Sequence, residues 1–464
     1  MVNLPIVSTS VAPVSRRALT VGLCTAVVAI AFESIAVATS LPAAARDLDG
    51  LGLYAWAFSM FQIGMLFATV AGGRLADRVG PARPMIGGMV VFSVGLVVAA
   101  TAPTMVQLVA GRLIQGLGSG TLGVATTVCI AQIFEPRERP RMFSYISTAW
   151  VLPAFVGPPV SAWLTRQLGW PYVFWAVLPL VAFAAVMVLP SLLALMRANA
   201  AAPAIEAAAR PPAALWAAGL AAAGVIILQL AGQRLDRWSI PLVVAGLAAL
   251  LISLPNLMPI GFFRFGSGLP SVVMVRGLVA GAFFGAEAFI PLMLVEQHGI
   301  SLLLAGVVLT VGSVGWTVGS WLQSLPGLNL HRDRIIALGA FFVLLGLVVA
   351  AVTAAVPDVW VGLIGVSWVL AGLGMGLSLA STTLVTMTLS PPAEQGRNAS
   401  SISLGEALGA SLFVGLSGSI FAGLHSSGPL AATFGWVMGA MVLVAVAGLL
   451  FSLRIGRVPN ELHA

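Results

Sequence analysis

Long apolar segments separated by short polar turns fill almost the whole chain. Each has roughly the 20 residues that a helix needs to cross the hydrocarbon core of a bilayer. The pattern therefore predicts an all-α integral membrane protein with fourteen transmembrane helices. The segments lie at about residues 18–41, 52–74, 84–101, 104–130, 142–164, 171–195, 212–232, 238–256, 270–294, 300–325, 334–354, 358–388, 399–422 and 430–453.

Two parts of the chain repeat at one spacing. The string Gln115–Gly120 (QGLGSG) returns as Ala371–Gly376 (AGLGMG), 256 residues later, and the same shift carries Asp77-Arg78 onto Asp333-Arg334. The common shift predicts two parallel six-helix repeats with two further helices inserted between them. The alternative is that glycine-rich helices resemble one another by composition alone.

This organisation divides the chain into three parts. We expect a first six-helix bundle over residues 1–196, a linker with the inserted helical hairpin over 197–260, and a second six-helix bundle over 261–464.

Composition agrees with a membrane protein and excludes several chemistries. The chain is 59% hydrophobic and 8% charged, and its 22 basic residues are all arginine. Without lysine it has neither a Walker phosphate-binding lysine nor a Schiff-base lysine. The two cysteines, Cys24 and Cys129, lie in apolar segments, and the four histidines lie at segment ends or in the tail. We therefore expect no metal site, no cofactor, no nucleic-acid partner and no enzymatic activity.

The arginines are distributed unequally between the two sides of the predicted membrane. With the amino terminus inside, seventeen lie on the cytoplasmic side and four on the outer side, Arg112 being within a helix. Because basic residues accumulate on the cytoplasmic side, this bias predicts a cell-membrane protein with both termini in the cytoplasm.

A short basic turn joins the second and third predicted helices. Its residues Gly73, Asp77, Arg78 and Gly80 resemble the signature loop between helices 2 and 3 of the major facilitator superfamily of transporters. Only Arg83 follows the last glycine, where the family usually has two basic residues. The resemblance implies the major facilitator fold and a gating role for this loop.

Two opposite charges lie at one depth in the predicted membrane. Arg112 is 8 residues from Thr104, and Glu33 is 9 residues from Pro42. At 1.5 Å per residue, these separations place the two side chains roughly 12 Å and 13 Å below the outer surface. Charges in hydrocarbon are costly, so we expect the two to pair or to face a water-filled cavity. A proton-coupling pair and a purely structural ion pair are both open interpretations.

Two resemblances bear on that choice. The string from Glu33 to Leu41-Pro42 resembles the helix 1 motif of the fourteen-helix drug:proton antiporter branch, with Glu in place of Asp. The string Leu108–Gly120 resembles the helix 4 motif, whose arginine is linked to proton transfer in that family. At the 256-residue shift, Trp368 occupies the place of Arg112.

Two further acids lie within apolar segments. Glu287 is at a depth similar to that of Glu33, and Phe283 and Phe284 precede it by one turn. We expect Glu33, Glu287 and these two rings to bind substrate, although Glu287 paired with a neighbouring helix is an alternative. Glu406 lies nearer the cytoplasm, and we assign it to gating.

Small residues recur where helices are expected to pack closely. Gly116 and Gly120 belong to a stretch that also fits the dinucleotide fingerprint GxGxxG, but this stretch follows no strand and lies inside a spanning segment. Close helix packing is the better interpretation. Gly157 and Pro158 resemble part of the antiporter motif of helix 5.

These features predict a secondary active transporter that exports hydrophobic, cationic drugs or related small molecules in exchange for protons. Its expected partners are the substrate, protons and the lipid bilayer, and a monomer is expected. An exporter of a lipid or an endogenous metabolite is the alternative. A transporter-like sensor and a membrane enzyme fit the sequence less well.

Overall fold

The computed structural model describes residues 16–135, 138–201, 215–234, 236–325, 330–356, 360–390, 395–425 and 428–458. In these ranges the chain forms sixteen α-helices and three short 3-10 helices, with no strand. The α-helices are α1 Arg16–Asp47, α2 Tyr54–Val79, α3 Ala82–Ala100, α4 Met105–Ile133, α5 Arg139–Gln167, α6 Pro171–Trp175, α7 Leu178–Ala201, α8 Leu215–Arg234, α9 Ser239–Ser253, α10 Leu269–Glu287, α11 Ile290–Glu296, α12 Leu302–Leu322, α13 Arg332–Ala355, α14 Gly362–Thr388, α15 Gln395–Leu424 and α16 Leu430–Ser452.

Thirteen spans within the described residues are long and apolar enough to cross a membrane. Two of them contain a break: α6 with α7 forms one span, and α10 with α11 forms another. The predicted all-α membrane architecture is confirmed. The fourteenth predicted span is α5, a 29-residue helix with three internal prolines that is absent from the thirteen. It nevertheless packs along α1 and α12 as a full-length member of the bundle.

Glycines allow the central helix of the first bundle to touch its neighbours backbone to backbone. A Cβ atom added to Gly116 or Gly120 of α4 would overlap the carbonyl oxygens of Phe61 and Met65 in α2. One added to Gly118 would overlap the backbone of Phe92 in α3. Only glycine permits such an approach, as is common between membrane helices.

The second bundle repeats these contacts at the same shift. Gly372 and Gly376 of α14 lie against the carbonyl oxygens of Gly312 and Trp316 in α12, and Gly374 lies against Gly339 in α13. The chain thus contains two six-helix repeats: α1 to α7 form the first half, and α10 to α16 form the second.

The inserted hairpin attaches to both halves through one of its helices. The α8 helix packs against α2 and α15, whereas α9 packs against α8. Ser59 Oγ of α2 lies 2.7 Å from Gln229 Oε1 of α8, and Gly232 of α8 contacts Ser419 of α15. The insertion therefore lies beside the seam between the halves.

The two ends of the helical bundle differ in charge. We call the end where α1 begins, with Arg16, Arg78, Arg83 and Arg141, the arginine-rich face, and the end where α1 finishes, with Arg46, Arg166 and Arg234, the arginine-poor face. At the arginine-rich face the chain after α16 is held against α13. There Val458 N donates to Asp333 Oδ1 at 3.0 Å, and Arg332 N donates to Val458 O at 3.0 Å.

Candidate transport site

An ion pair joins two helices in the interior of the first half. Glu33 of α1 and Arg112 of α4 contact each other directly, with side-chain exposures of 0% and 2%. Breaking a buried pair of this kind leaves an uncompensated charge, which costs about 3–5 kcal/mol. The structure thus brings together the two charges that the sequence placed at one depth.

Three further contacts fix the guanidinium of Arg112. Its Nε donates to Ala57 O at 2.9 Å, and its Nη1 donates to Gln115 Oε1 at 2.6 Å. The ring of Phe61 lies 4.4 Å from the guanidinium carbon, within the range of a cation–π interaction. Arg112 is therefore held by α1, α2 and its own helix.

The carboxylate of Glu33 is less constrained than its partner. Glu33 Oε2 has no hydrogen-bond partner among the described residues. An ionised carboxylate has about four acceptor positions, and a protonated one also donates. The site can therefore hold a proton on Glu33 without losing any other protein hydrogen bond.

An aromatic cluster occupies the corresponding position of the second half. The ring of Phe283 in α10 stacks on Trp368 of α14, with centroids 5.0 Å apart and an interplanar angle of 24°. Trp316 of α12 meets Phe283 edge-on, with ring centroids 5.7 Å apart. Its ring is tilted by 46° against Phe284, with centroids 6.5 Å apart. Glu287 lies one turn beyond these phenylalanines, at the last residue of α10, and is partly exposed.

A partly buried arginine was not anticipated as a site residue. Arg276 is one of the seventeen arginines predicted to lie on the cytoplasmic side, yet its side chain is only 12% exposed. Its Nε and Nη2 donate to Glu406 Oε2 at 2.9 and 2.7 Å, and its Nη1 donates to Thr382 Oγ1 at 3.0 Å. Glu406 thus binds α15 to α10 within the second half.

The turn between α2 and α3 is tight. Gly80 adopts φ of +77°, a value that favours glycine, directly after the last residue of α2. Arg78 and Arg83 are exposed, and Gly73 faces Val124 of α4. The side chain of Asp77 lies outside the described part of the structure.

Residues of both halves meet at the arginine-poor face. Arg46 of α1 forms an ion pair with Glu296 of α11, and Tyr54 Oη of α2 donates to Ala288 O at 2.8 Å. That carbonyl belongs to the break between α10 and α11, directly after Glu287. The two halves are therefore closed against each other at this face.

The glycine and proline residues of α5 have different surroundings. Gly157 lies beside Ile35 and Phe32 with space for a Cβ atom, so close packing does not require glycine there. The carbonyl of Pro158 lies against Gly306 of α12, so this residue contributes to the contact between the halves at the arginine-poor face.

Comparison with known proteins agrees with this architecture. Residues 21–414 match the family model of the Major Facilitator Superfamily. A mutant of the peptide transporter POT bound to alafosfalin superimposes with a TM-score of 0.68 at 17% identity, over 94% of each chain. The chain belongs to the major facilitator superfamily, whose members are transporters and not enzymes.

Curated relatives cover most of the chain. A probable multidrug-efflux transporter of Mycobacterium tuberculosis is 28% identical over 89% of this chain and 88% of its own length. Multidrug resistance protein 3 of Bacillus subtilis is 24% identical over 89% and 81%. For an uncharacterised MFS-type transporter of M. tuberculosis, 25% identical, the chain spans only 60% of the relative's length.

Proposed function

We propose that this protein is a proton-coupled exporter of hydrophobic cations in the cell membrane, with the arginine-rich face toward the cytoplasm. The observation that carries the proposal is the buried Glu33–Arg112 pair, in which one carboxylate oxygen has no hydrogen-bond partner in the part of the chain that the structure describes. The names of the relatives from M. tuberculosis and B. subtilis support drug export as the activity.

The pair supplies a means of coupling. With Arg112 in contact, the ionised form of Glu33 is stabilised, because an opposite charge within a few ångströms favours the charged state. A conformation that separates α1 from α4 removes this stabilisation, and Glu33 then binds a proton. Alternation between the two states exchanges protons for substrate.

The remaining site residues have roles consistent with this cycle. Glu287 with Phe284 binds the substrate while the buried ring of Phe283 supports them, and the turn with Asp77, Arg78 and Arg83 acts as the gate at the arginine-rich face. We assign Glu406 to the same gate through its pairing with Arg276. Rocking of one half against the other gives alternating access.

A flux assay in proteoliposomes tests the coupling. Wild-type protein should alkalinise the lumen when a lipophilic cation is added outside, in proportion to cation transport, because each cation that enters exchanges for protons that leave. Glu33→Gln should still bind the cation but lose proton-driven accumulation, because the amide cannot release a proton. Asp236→Asn is the matched control, since Asp236 is exposed in the hairpin turn and the amide retains its acceptor oxygen.

Two results would contradict the proposal. Normal proton-driven transport by Glu33→Gln would remove Glu33 as the proton carrier. If the wild-type protein transports lipids or neutral metabolites but no cation, hydrophobic cations are the wrong substrate class. The role of Glu33 and Arg112 would then be tested with the substrate that is transported.

A further inference from the structure

The aromatic cluster of the second half has a buried part and an open part. Phe283 and Trp368 are 2% and 0% exposed, so their stack is a fixed support. Phe284, Glu287 and Trp316 remain partly exposed beside it. Any ligand that enters this region meets these three side chains first.

Phe284 and Glu287 lie on a span that the protein largely encloses. The α10–α11 span is the most buried of the thirteen, and 78% of the residues in an 18-residue stretch of it are buried in the protein. It packs against α14, α15 and α16. A carboxylate directed into lipid is costly, and the burial of this span leaves the space between the helices as the environment of Glu287.

Trp316 also lies away from the lipid. The outer stripe of α12 contains Val307, Val314 and Trp321, with 39%, 39% and 60% exposure. Trp316 follows Val314 by two residues, which is a rotation of about 200° around a helix with 3.6 residues per turn. It therefore projects from the opposite side of α12, where it contacts Phe283 and Phe284.

We infer that Trp316 is a specificity-determining residue that, with Phe284 and Glu287, selects flat aromatic cations over cations with saturated substituents. The inference rests on the proposed function and names its substrate class more narrowly. The rings of Phe284 and Trp316 are 6.5 Å apart and tilted by 46°, so they form an open wedge and do not stack on each other. A planar cation stacks on the indole face while Glu287 neutralises its charge.

Equilibrium binding of two probes to the purified protein tests this. Ethidium is flat and aromatic, and tetrabutylammonium carries the same charge on saturated chains. Trp316→Leu should weaken ethidium binding by up to about tenfold, as expected for loss of an aromatic stacking contact, and leave tetrabutylammonium binding within about twofold, because its butyl chains cannot stack on the indole and keep the ammonium away from the ring face. Trp316→Phe should recover most of the ethidium affinity.

Trp321→Leu is the matched control, because it removes a tryptophan from the outer stripe of the same helix and should change neither affinity. Phe284→Leu is a second test that leaves the indole in place and should reduce ethidium binding selectively. It decides the question if Trp316→Leu fails to fold.

The outcomes separate this inference from the proposed function. Equal losses for both probes in Trp316→Leu and Phe284→Leu would make these rings structural, and no loss for either probe would place the ligand elsewhere. In both cases wild-type cation binding leaves the proposed function intact. A wild-type protein that binds neither probe overturns cation export itself, and this inference with it.

Discussion

The two halves use the same backbone packing to support different chemistry. In the first, α1 and α4 are joined by the ion pair between Glu33 and Arg112. In the second, the equivalent helices α10 and α14 are joined by the stacked rings of Phe283 and Trp368. Glycine contacts repeat in both. The repeat thus preserves how closely helices approach, while the residues between them form a charged site in one half and an aromatic site in the other.

Removing one partner from each pair should give the largest effects. Arg112→Gln leaves the Glu33 carboxylate buried without its cation, which costs about 3–5 kcal/mol at alkaline pH, where Glu33 does not escape this cost by binding a proton. Trp368→Ala leaves a cavity in a fully buried position, which costs a similar 3–5 kcal/mol. Thermal unfolding in detergent should show comparable losses in the two variants.

A second substitution in each half distinguishes the two chemistries. Glu33→Gln combined with Arg112→Gln removes both charges and should recover part of the stability, although proton coupling stays lost. Phe283→Ala added to Trp368→Ala enlarges the cavity and should destabilise further. Recovery in both halves, or in neither, would contradict the distinction between an ionic and an aromatic pair.

The shared packing should respond equally in the two halves. A methyl group at Gly116 overlaps Phe61 O, and one at Gly372 overlaps Gly312 O, so alanine at either position forces the helices apart. We expect each substitution to cost about 1–3 kcal/mol, the usual range for overpacking.

Two other glycines of the same helices serve as controls. A Cβ atom at Gly123 of α4 or Gly365 of α14 meets no atom within 4 Å. Alanine there should be neutral or slightly stabilising, because it has the higher helix propensity. A large difference between Gly116→Ala and Gly372→Ala in the same unfolding assay would mean that the packing is not equivalent.

Much of this architecture follows from local sequence patterns. Apolar length predicts the spans, and the 256-residue shift predicts the repeated packing of Gly116 and Gly372, because each signal consists of the type and spacing of residues along the chain. The breaks within residues 171–197 and 269–296 were missed, since an apolar segment has the same composition whether its helix is continuous or interrupted.

Partners distant in sequence were also missed. Arg276 and Glu406 are 130 residues apart, and Arg46 and Glu296 are 250 apart. Arg46 and Glu296 look like ordinary charged residues near helix ends, whereas Arg276 and Glu406 lie inside apolar segments. Only the folded arrangement pairs them. Closure of the two halves at one face depends on the conformational state of the protein, for which the sequence contains no local signal.

The smallest predicted effect concerns the contact between the halves at the arginine-poor face. The side chains of Arg46 and Glu296 are 47% and 27% exposed, and exposed pairs of this kind contribute about 0.2–1 kcal/mol. Arg46→Gln should therefore leave folding unchanged and shift the balance toward the state open at this face by no more than about fivefold, since 1.4 kcal/mol corresponds to a factor of ten. Spin labels on cysteines at Asp47 of α1 and Leu303 of α12, in a protein without Cys24 and Cys129, measure the opening as a second, longer distance.

Arg166→Gln removes an exposed arginine from the same face and is the matched control. Because Tyr54 still donates to Ala288 O, complete opening in Arg46→Gln would mean that the ion pair alone holds the halves together. Identical distance distributions in the two variants would mean that it contributes nothing to closure.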